Sequence, residues 1–262
     1  MCSDGGSVGQ VTKDKGGKGH TADLALLQDL VTANHILYDQ GVVDAFGHVS
    51  VRHDKDPNRF LLARNMAPAL VTVDDIVEFD LDGAPMNSGG RPVYLERFIH
   101  SEIYRARPDV IAVVHSHSRA VVPFSVSRKT PFRAVCHMAG FIGTATPIFE
   151  IRDFAGDASD LLITNKELGA ALAKTLGEKA VVLMRGHGST VVADSLRKVV
   201  YRAVYTEVNA KTQAEAAMLG DVTYLSEGEA RQTVSTIETQ VFRAWDFWKQ
   251  KAVSTAAEFA RK

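Results

Sequence analysis

The sequence has few of the features that mark a secreted or membrane protein. It contains only two cysteines, Cys2 and Cys136, so no internal disulfide framework can be built around a core. Its longest apolar runs, residues 110–114 and 180–184, have the length of a strand and fall far short of the ~20 residues that a membrane-spanning helix needs. We therefore expect a cytoplasmic protein with no membrane partner.

An excess of charge of either sign is also missing. The 262 residues carry a formal net charge of −1, which leaves no surplus of basic groups to neutralise a nucleic-acid backbone, so no nucleic-acid partner is expected. The hydrophobic fraction of 45% and the charged fraction of 23% are ordinary for a globular protein. Residues 1–20, which lack an apolar stretch, are predicted to be a disordered tail, and residues 21–262 a single domain.

The apolar pattern predicts an α/β protein in which helices and strands are mixed along the chain. Helical spacing ends at Gly41 and at Pro108, residues that stop a helix. Helices are predicted over residues 23–39, 94–107, from near 118, 165–176, 195–219 and 228–259. Strands are predicted over residues 47–52, 59–62, 76–81, 110–114 and 180–184, of which the first three are expected to be antiparallel.

Histidines follow two of the predicted strands. In the run Val113-Val114-His115-Ser116-His117 the two-residue period of a strand sends both imidazoles to the same side, where they can reach one ion. His187 follows the strand at 180–184 between two glycines, which allow the backbone to approach a site closely. Three protein ligands with an open position are typical of a catalytic metal site, because substrate or water takes the open position.

Glu96 offers a carboxylate to the same site. It lies four residues before His100 on the predicted helix that precedes the strand with the histidine pair, and it could bind the ion or act as a base. A simpler interpretation stays open for each residue alone. A histidine at a strand end is commonly a hydrogen-bonded surface residue, and a glutamate in a first helical turn is favoured by the helix dipole.

The order and spacing of these motifs resemble the class II aldolase/adducin family over roughly residues 23–220. The matching segments are Asp44-Ala45-Phe46-Gly47-His48-Val49-Ser50-Val51-Arg52, Glu96 with His100, Arg107-Pro108-Asp109 leading to His115-Ser116-His117, and Arg185-Gly186-His187-Gly188. The resemblance implies a three-layer α/β fold whose central, mostly antiparallel sheet is flanked by helices. It also implies one divalent metal ion per subunit, held by His115, His117 and His187, with Glu96 as the acid/base group that also approaches the metal. Imidazole ligands suit several first-row ions, so Zn²⁺ and Mn²⁺ both stay open.

The sequence departs from the sugar-phosphate aldolases of that family in the segments that hold phosphate. His48 stands where an asparagine is expected, ahead of a retained Ser50, and a loop starting at Arg64 replaces a Thr-Pro-Ser-Gly type loop. Arg91 lies before Glu96, where the aldolases have a serine pair, and a guanidinium is suited to gripping a carboxylate. We predict that His48, Ser50, Arg64 and Arg91 bind a small carboxylate substrate.

The altered segments resemble a decarboxylase branch of the family that acts on hydroxylated aromatic or pyridine carboxylic acids, including dihydroxyphthalate-type substrates. The predicted function is therefore a metal-dependent decarboxylase, a carbon-carbon lyase of aromatic compound degradation. The metal would stabilise an enolate-like intermediate while Glu96 moves the proton. Two alternatives stay open: an aldolase or epimerase acting on a small sugar or sugar phosphate, and an adducin-like binding protein without a metal.

The resemblance also implies a homo-oligomer, since members of the family are commonly tetrameric. The last predicted helix contains Phe242, Trp245, Phe247 and Trp248, which is more aromatic surface than a lone helix exposes. We expect this helix to pack on the body of the protein or on a neighbouring subunit.

Overall fold

A β-sheet forms the middle of the structure, a computed structural model that describes residues 21–259, with side chains to residue 252. In this part of the chain the seven strands are β1 (His48–Arg52), β2 (Arg59–Ala63), β3 (Ile76–Asp80), β4 (Ala112–Ser116), β5 (Ile148–Phe149), β6 (Val181–Met184) and β7 (Gly188–Ala193). They pair in the order β3-β2-β1-β4-β7-β6-β5, and only the pairing of β5 with β6 is parallel. The predicted tail at residues 1–20 lies outside the described residues.

Helices flank the sheet on both sides. The α-helices of the described residues are α1 (Leu24–Asp39), α2 (Arg97–Ala106), α3 (Val122–Val126), α4 (Arg152–Ala155), α5 (Lys166–Leu176), α6 (Leu196–Leu219), α7 (Glu227–Ile237) and α8 (Val241–Phe259). On one side α1 packs on β1, and α6 packs on β4 and β7. On the other side α2 packs on α5, which contacts β5 and β6. This is the predicted three-layer α/β fold with a mostly antiparallel sheet.

Strand β1 separates the two sides by simple alternation. His48 and Ser50 point toward α2, where both contact His100, while the intervening Val49 and Val51 point to the opposite side and are fully buried. One side of this strand is therefore polar and the other apolar, although both are covered. The polar side is the one that belongs to the site described below.

The predicted helix at residues 94–107 is wrong at its first turn. Helix α2 begins at Arg97, so Glu96 is the residue that precedes the helix and not a member of its first turn. Tyr94 lies outside the helix because its buried ring is tied to another loop, where the phenol hydroxyl donates to the Met66 carbonyl. This difference matters because it frees Glu96 to turn toward the sheet.

Strands β5 and β7 were not predicted from the pattern. β7 starts with Gly188, a weak strand former, and acquires its conformation from pairing with β4 on one side and β6 on the other. The predicted helix at residues 228–259 is likewise broken, by a 3-10 turn at Glu238–Gln240 between α7 and α8. The residues before that turn are rich in β-branched side chains, which are poor helix formers, and Glu238 is held by Arg202 of α6 at 2.7 Å.

The aromatic residues of α8 divide between two surroundings. Trp245 and Trp248 are buried, with 1% and 7% exposure, on the side where α8 packs against α1 and α6. Phe242 and Phe247 remain 52% and 65% exposed. The helix thus packs on the body of the protein and keeps an apolar outer face.

In the described part of the chain, no helix combines the length and the apolar character that crossing a bilayer requires.

The close approach of β4 and β7 fixes the backbone beside two of the predicted metal ligands. A Cβ atom added to Gly188 would lie 2.1 Å from the Ser116 carbonyl oxygen and 3.2 Å from the His117 Cα. Neither of these atoms can move without disturbing the strand pairing. The position therefore requires glycine for close contact and not for an unusual backbone angle.

Gly188→Ala is expected to lower the free energy of unfolding by about 1–3 kcal/mol, because the added methyl group overpacks the junction of the two strands. Urea unfolding followed by circular dichroism measures the change. The matched control is Gly228→Ala in α7, where the new methyl group would meet only the Ser226 hydroxyl, at 3.9 Å. An equal effect of the two substitutions would contradict the contact argument.

Candidate metal centre

His115 and His117 lie at the end of β4 with their rings on the same side of the sheet. His115 is fully buried within the strand, and His117 follows the last residue of the strand. Their Nε2 atoms are 2.9 Å apart. The period of the strand thus brings the two imidazoles together, as predicted.

His187 reaches the same point from the neighbouring strand. It lies in the tight connection between β6 and β7. Ser189 of β7 pairs with Ser116 at the end of β4. The strand register therefore places the turn that contains His187 beside His117, and their Nε2 atoms are 3.0 Å apart. Three imidazole nitrogens from two segments that are distant in sequence converge on one small volume.

Glu96 faces these nitrogens with one oxygen and is anchored by the other. Its Oε1 atom accepts a hydrogen bond of 3.0 Å from the backbone N–H of Ile163. Its Oε2 atom lies 3.5 Å from His187 Nε2 and 3.6 Å from His115 Nε2. The carboxylate is buried, so the anchored oxygen fixes the direction of the free one.

The protonation of two of the rings follows from their outer nitrogens. His115 Nδ1 lies 3.1 Å from the carbonyl oxygen of Ser189, and His187 Nδ1 lies 2.9 Å from that of Leu161. A carbonyl oxygen only accepts, so each Nδ1 carries the proton and donates it, which leaves a lone pair on each Nε2.

Leu161 is itself the one non-glycine residue with a positive φ, +69°, among residues 21–259, a backbone conformation that is costly for a branched side chain.

Burial keeps His115 and His117 neutral. It lowers the pKa of His115 well below the ordinary value, and repulsion from the neighbouring imidazoles, first that of His187, acts in the same direction. Burial likewise lowers the pKa of His117, with repulsion from His187 next in size, while the charge of Glu96 partly opposes both. Neutral imidazoles present lone pairs, which repel each other at these distances unless a cation lies between them.

The donor set fits a divalent ion. One donor atom from each of Glu96, His115, His117 and His187 lies within 4.8 Å of the other three. His115 and His187 each donate a hydrogen bond from Nδ1, which leaves the Nε2 atom of each ring as an acceptor. Histidine ligands in metalloproteins commonly have this arrangement. The three histidines and Glu96 can therefore hold one first-row divalent cation, with part of its coordination sphere left for a substrate.

Of the predicted substrate-binding residues, His48 and Ser50 lie beside this cluster. The ring of His48 is centred 5.1 Å from that of His115, its partner in the pairing of β1 with β4. Ser50 is fully buried and contacts His100 at 2.6 Å and Tyr104 at 2.7 Å. His48 thus borders the centre directly, whereas Ser50 lies one layer behind it.

Arg64 and Arg91 are both held by the loop around Asp75. Arg64 Nε donates to Asp75 Oδ1 at 2.7 Å, and Arg91 donates to the backbone carbonyls of Ser88 and Asp74. Arg64 is also close to Tyr94, whose pKa is raised to about 12 by burial, an effect that the charge of Arg64 partly offsets. Their role in substrate binding stays a prediction. Arg64 is linked to His48 through Tyr94, whose ring packs on that of His48.

Three residues of this neighbourhood were missed by the sequence reasoning. Tyr94 packs on His48 with ring centres 4.6 Å apart, and His100 and Tyr104 of α2 form hydrogen bonds behind that ring. The spacing of four residues between His100 and Tyr104 was the available signal, because it places both side chains on one face of α2, toward the same strand. Polar residues on the inner face of an otherwise apolar helix call for buried partners.

Comparison with known proteins relates the whole arrangement to one family. The family described as Class II Aldolase and Adducin N-terminal domain matches residues 28–214. Decarboxylase tropJ of Talaromyces stipitatus is 39% identical over 245 residues, which cover 85% of this chain and 92% of that protein. A 3,4-dihydroxyphthalate decarboxylase of Arthrobacter keyseri is 29% identical over 201 residues, covering 73% and 78%. Among solved structures, an L-fuculose 1-phosphate aldolase of Glaciozyma antarctica PI12 has a TM-score of 0.71 and 25% identity, and the match covers 89% of this chain and 91% of that one.

Stability should fall below pH 6.5 because of His100. Burial lowers the pKa of His100 to about 3, so the folded protein leaves it neutral while the unfolded chain takes up a proton below about pH 6.5. Between these two values the free energy of unfolding should drop by about 1.4 kcal/mol per pH unit for this group. Urea unfolding of chelator-treated protein at pH 7.5, 6 and 5 measures the slope.

The variant His100→Gln should reduce that slope by about one proton, whatever its own stability at pH 7.5. His137→Gln, which replaces an exposed histidine, is the matched control and should leave the slope as it is. A slope that stays unchanged in His100→Gln would show that His100 takes up its proton in the folded state.

Proposed function

This chain belongs to the class II aldolase and adducin family, and from that membership we propose that it is a divalent-metal-dependent decarboxylase of a hydroxylated aromatic or pyridine carboxylic acid. The observation that carries the proposal is the set of three histidine nitrogens with a free carboxylate oxygen beside them. An adducin-like binding protein has no use for such a set. The two decarboxylases quoted above give the direction of the chemistry, since both match most of this chain.

Decarboxylation requires that the electron pair of the broken carbon–carbon bond be stabilised on the ring. A divalent ion held by His115, His117 and His187 supplies the positive charge for this purpose. Carbon dioxide leaves, and the ring carbon then takes a proton in place of the carboxyl group. The acid form of Glu96 is suited to deliver that proton from Oε2 and to take up another from water, because Ile163 holds Oε1 and so keeps the other oxygen directed at the centre.

The substrate would bind by its oxygen atoms on the side of the centre bordered by β1. His48 and Tyr94 would form the wall there, and the positive charge of Arg64 acts on Tyr94 from beyond it. An acid with a hydroxyl group next to one carboxyl group would present both groups to the centre and a further carboxylate to this wall. Ser50 and Arg91 would act through their neighbours in this arrangement.

The metal is Zn²⁺ or Mn²⁺, both of which accept imidazole ligands. We further propose a cytoplasmic homo-oligomer, most simply a tetramer. The low cysteine content supports the location. The exposed Phe242 and Phe247 on α8 support association between copies, since an apolar helix face of this kind is costly in water.

A sugar aldolase or epimerase is the second candidate, favoured by the similarity to the L-fuculose 1-phosphate aldolase. The same metal and acid/base group would serve aldol cleavage, because that reaction also leaves an electron pair on carbon. Substitution of the expected asparagine by His48 argues for a carboxylate in place of a phosphate. The two candidates differ in the leaving fragment, so one assay separates them.

That assay measures carbon dioxide release by metal-analysed protein, with and without chelator, from hydroxylated benzene- and pyridine-carboxylic acids and from sugar phosphates. We expect release from an aromatic acid that stops on metal removal and returns when Zn²⁺ or Mn²⁺ is added. Aldehyde formation from a sugar phosphate, without release from any acid, would overturn the decarboxylase and establish the second candidate.

Two substitutions should separate metal binding from proton transfer. His117→Ala is expected to lose both metal and turnover, because one of three neutral nitrogen ligands is removed. Glu96→Gln should keep most of its metal and lose about 10²-fold or more in kcat, the usual contribution of a general acid or base. Metal content by mass spectrometry and initial rates measure both, with His137→Ala as the control histidine outside the cluster. Full activity in either variant would contradict the assigned roles.

A further inference from the structure

A chain of buried hydrogen bonds runs from α2 to the edge of the metal centre. The Tyr104 hydroxyl lies 2.7 Å from Ser50 Oγ, which lies 2.6 Å from His100 Nδ1. His100 Nε2 in turn lies 2.7 Å from His48 Nδ1. The four side chains are between 0% and 4% exposed, so water does not compete for these bonds.

Each of these bonds contains one proton. Within residues 21–252 the Ser50 hydroxyl contacts only Tyr104 and His100, so it accepts from one and donates to the other, and the chain has two possible directions. Burial lowers the pKa of His100 to about 3, so this imidazole is neutral and has one donor and one acceptor nitrogen. Either Tyr104 donates toward Ser50 and every bond points to His48, or every bond points the other way. In the second case the Tyr104 hydroxyl must find a different acceptor.

The geometry favours the direction toward His48. Within residues 21–252, the other acceptor near the Tyr104 hydroxyl is the Ile111 carbonyl, at 3.4 Å, which is longer than the usual hydroxyl hydrogen bond. Tyr104 therefore donates to Ser50, and Ser50 then donates to His100 Nδ1. His100 donates from Nε2 to His48 Nδ1, so the proton of His48 is on its own Nε2.

His48 is almost as close to His115 as the other two metal-binding histidines are. The ring centre of His48 is 5.1 Å from that of His115. The ring centres of His117 and His187 are 4.8 and 4.9 Å from that of His115. A nitrogen that carries a proton has no lone pair for a metal. The direction of the chain therefore decides whether His48 is a fourth ligand or a hydrogen-bond donor.

We propose that Tyr104, Ser50 and His100 are positioning residues that fix His48 as a hydrogen-bond donor and so exclude it from the metal. Among residues 21–252, His48 Nε2 has no hydrogen-bond partner, so its N–H is available to a ligand. That ligand is an anionic oxygen of the substrate, a carboxylate oxygen on the wall described above. This assignment rests on the proposed function for its substrate and on the geometry alone for the proton.

The direct test is ¹⁵N nuclear magnetic resonance of histidine-labelled protein, since a protonated and an unprotonated ring nitrogen differ widely in shift. The spectra are recorded on the chelator-treated protein and on its Zn²⁺ form, and His48 is assigned by loss of its signals in His48→Gln. We expect His48 to be protonated at Nε2 in both forms. Protonation at Nδ1 in either form would overturn the proposal.

Tyr104→Phe removes one hydroxyl group from the start of the chain and should allow both directions. We expect mixed protonation of His48 in that variant, with a loss of about tenfold in kcat/KM, near the low end of the effect of one hydrogen bond to a charged group. Ser50→Ala breaks the chain at the next position and should have the same effect. Tyr201→Phe, which removes a hydroxyl that donates to the Met138 carbonyl far from β1, is the matched control.

A double-variant comparison separates positioning from a general loss of packing. The side-chain amide of His48→Gln has two N–H donors, so one remains for the substrate oxygen in either direction of the hydrogen-bond chain. Tyr104→Phe should therefore cost less than twofold in the His48→Gln background but about tenfold in the natural one. Equal losses in both backgrounds would show a structural role only. If the natural protein releases no carbon dioxide from any acid, the proposed function fails, while the resonance experiment still decides the protonation of His48.

Discussion

The close contact between the end of β4 and the start of β7 is the constraint on which the centre depends. The pairing of Ser116 with Ser189 places the end of β4 beside the turn that precedes β7. The end of β4 contributes His115 and His117, and the turn contributes His187. Because Gly188 has no side chain, the two backbones approach closely enough for the three Nε2 atoms to converge. Ser189 also supplies, through its carbonyl, the acceptor that orients His115.

A second constraint is that His48 and His115 are buried without charge. Four imidazoles from β1, β4 and the turn before β7 lie together, and each would repel a protonated neighbour. The hydrogen bond at the outer nitrogen of a ring then decides what its inner nitrogen can do. Backbone carbonyls leave His115 and His187 as acceptors that suit a cation, whereas His100 leaves His48 as a donor that suits an anion.

The sequence was sufficient to predict the parts of the fold and site that have strong local signals. The two-residue spacing of His115 and His117 identified a pair on one side of a strand, and the three-layer fold followed from family resemblance. The start of α2 was missed because Tyr94 is held by a distant loop, and β7 was missed because its conformation comes from pairing partners. The hydrogen-bond chain through His100 also depends on long-range packing, since Ser50 and His100 are fifty residues apart. The four-residue spacing of His100 and Tyr104 places both on one face of α2, but no local pattern identifies their partners on β1.

The most direct test of the metal centre is anomalous diffraction from a crystal of the protein soaked in Zn²⁺ or Mn²⁺, recorded at the absorption edge of that metal. We expect one ion per chain, about 2.0–2.2 Å from the Nε2 atoms of His115, His117 and His187, with His48 not bound to it. An ion located elsewhere, or bound to His48 in place of one of these three, would contradict the assigned ligands.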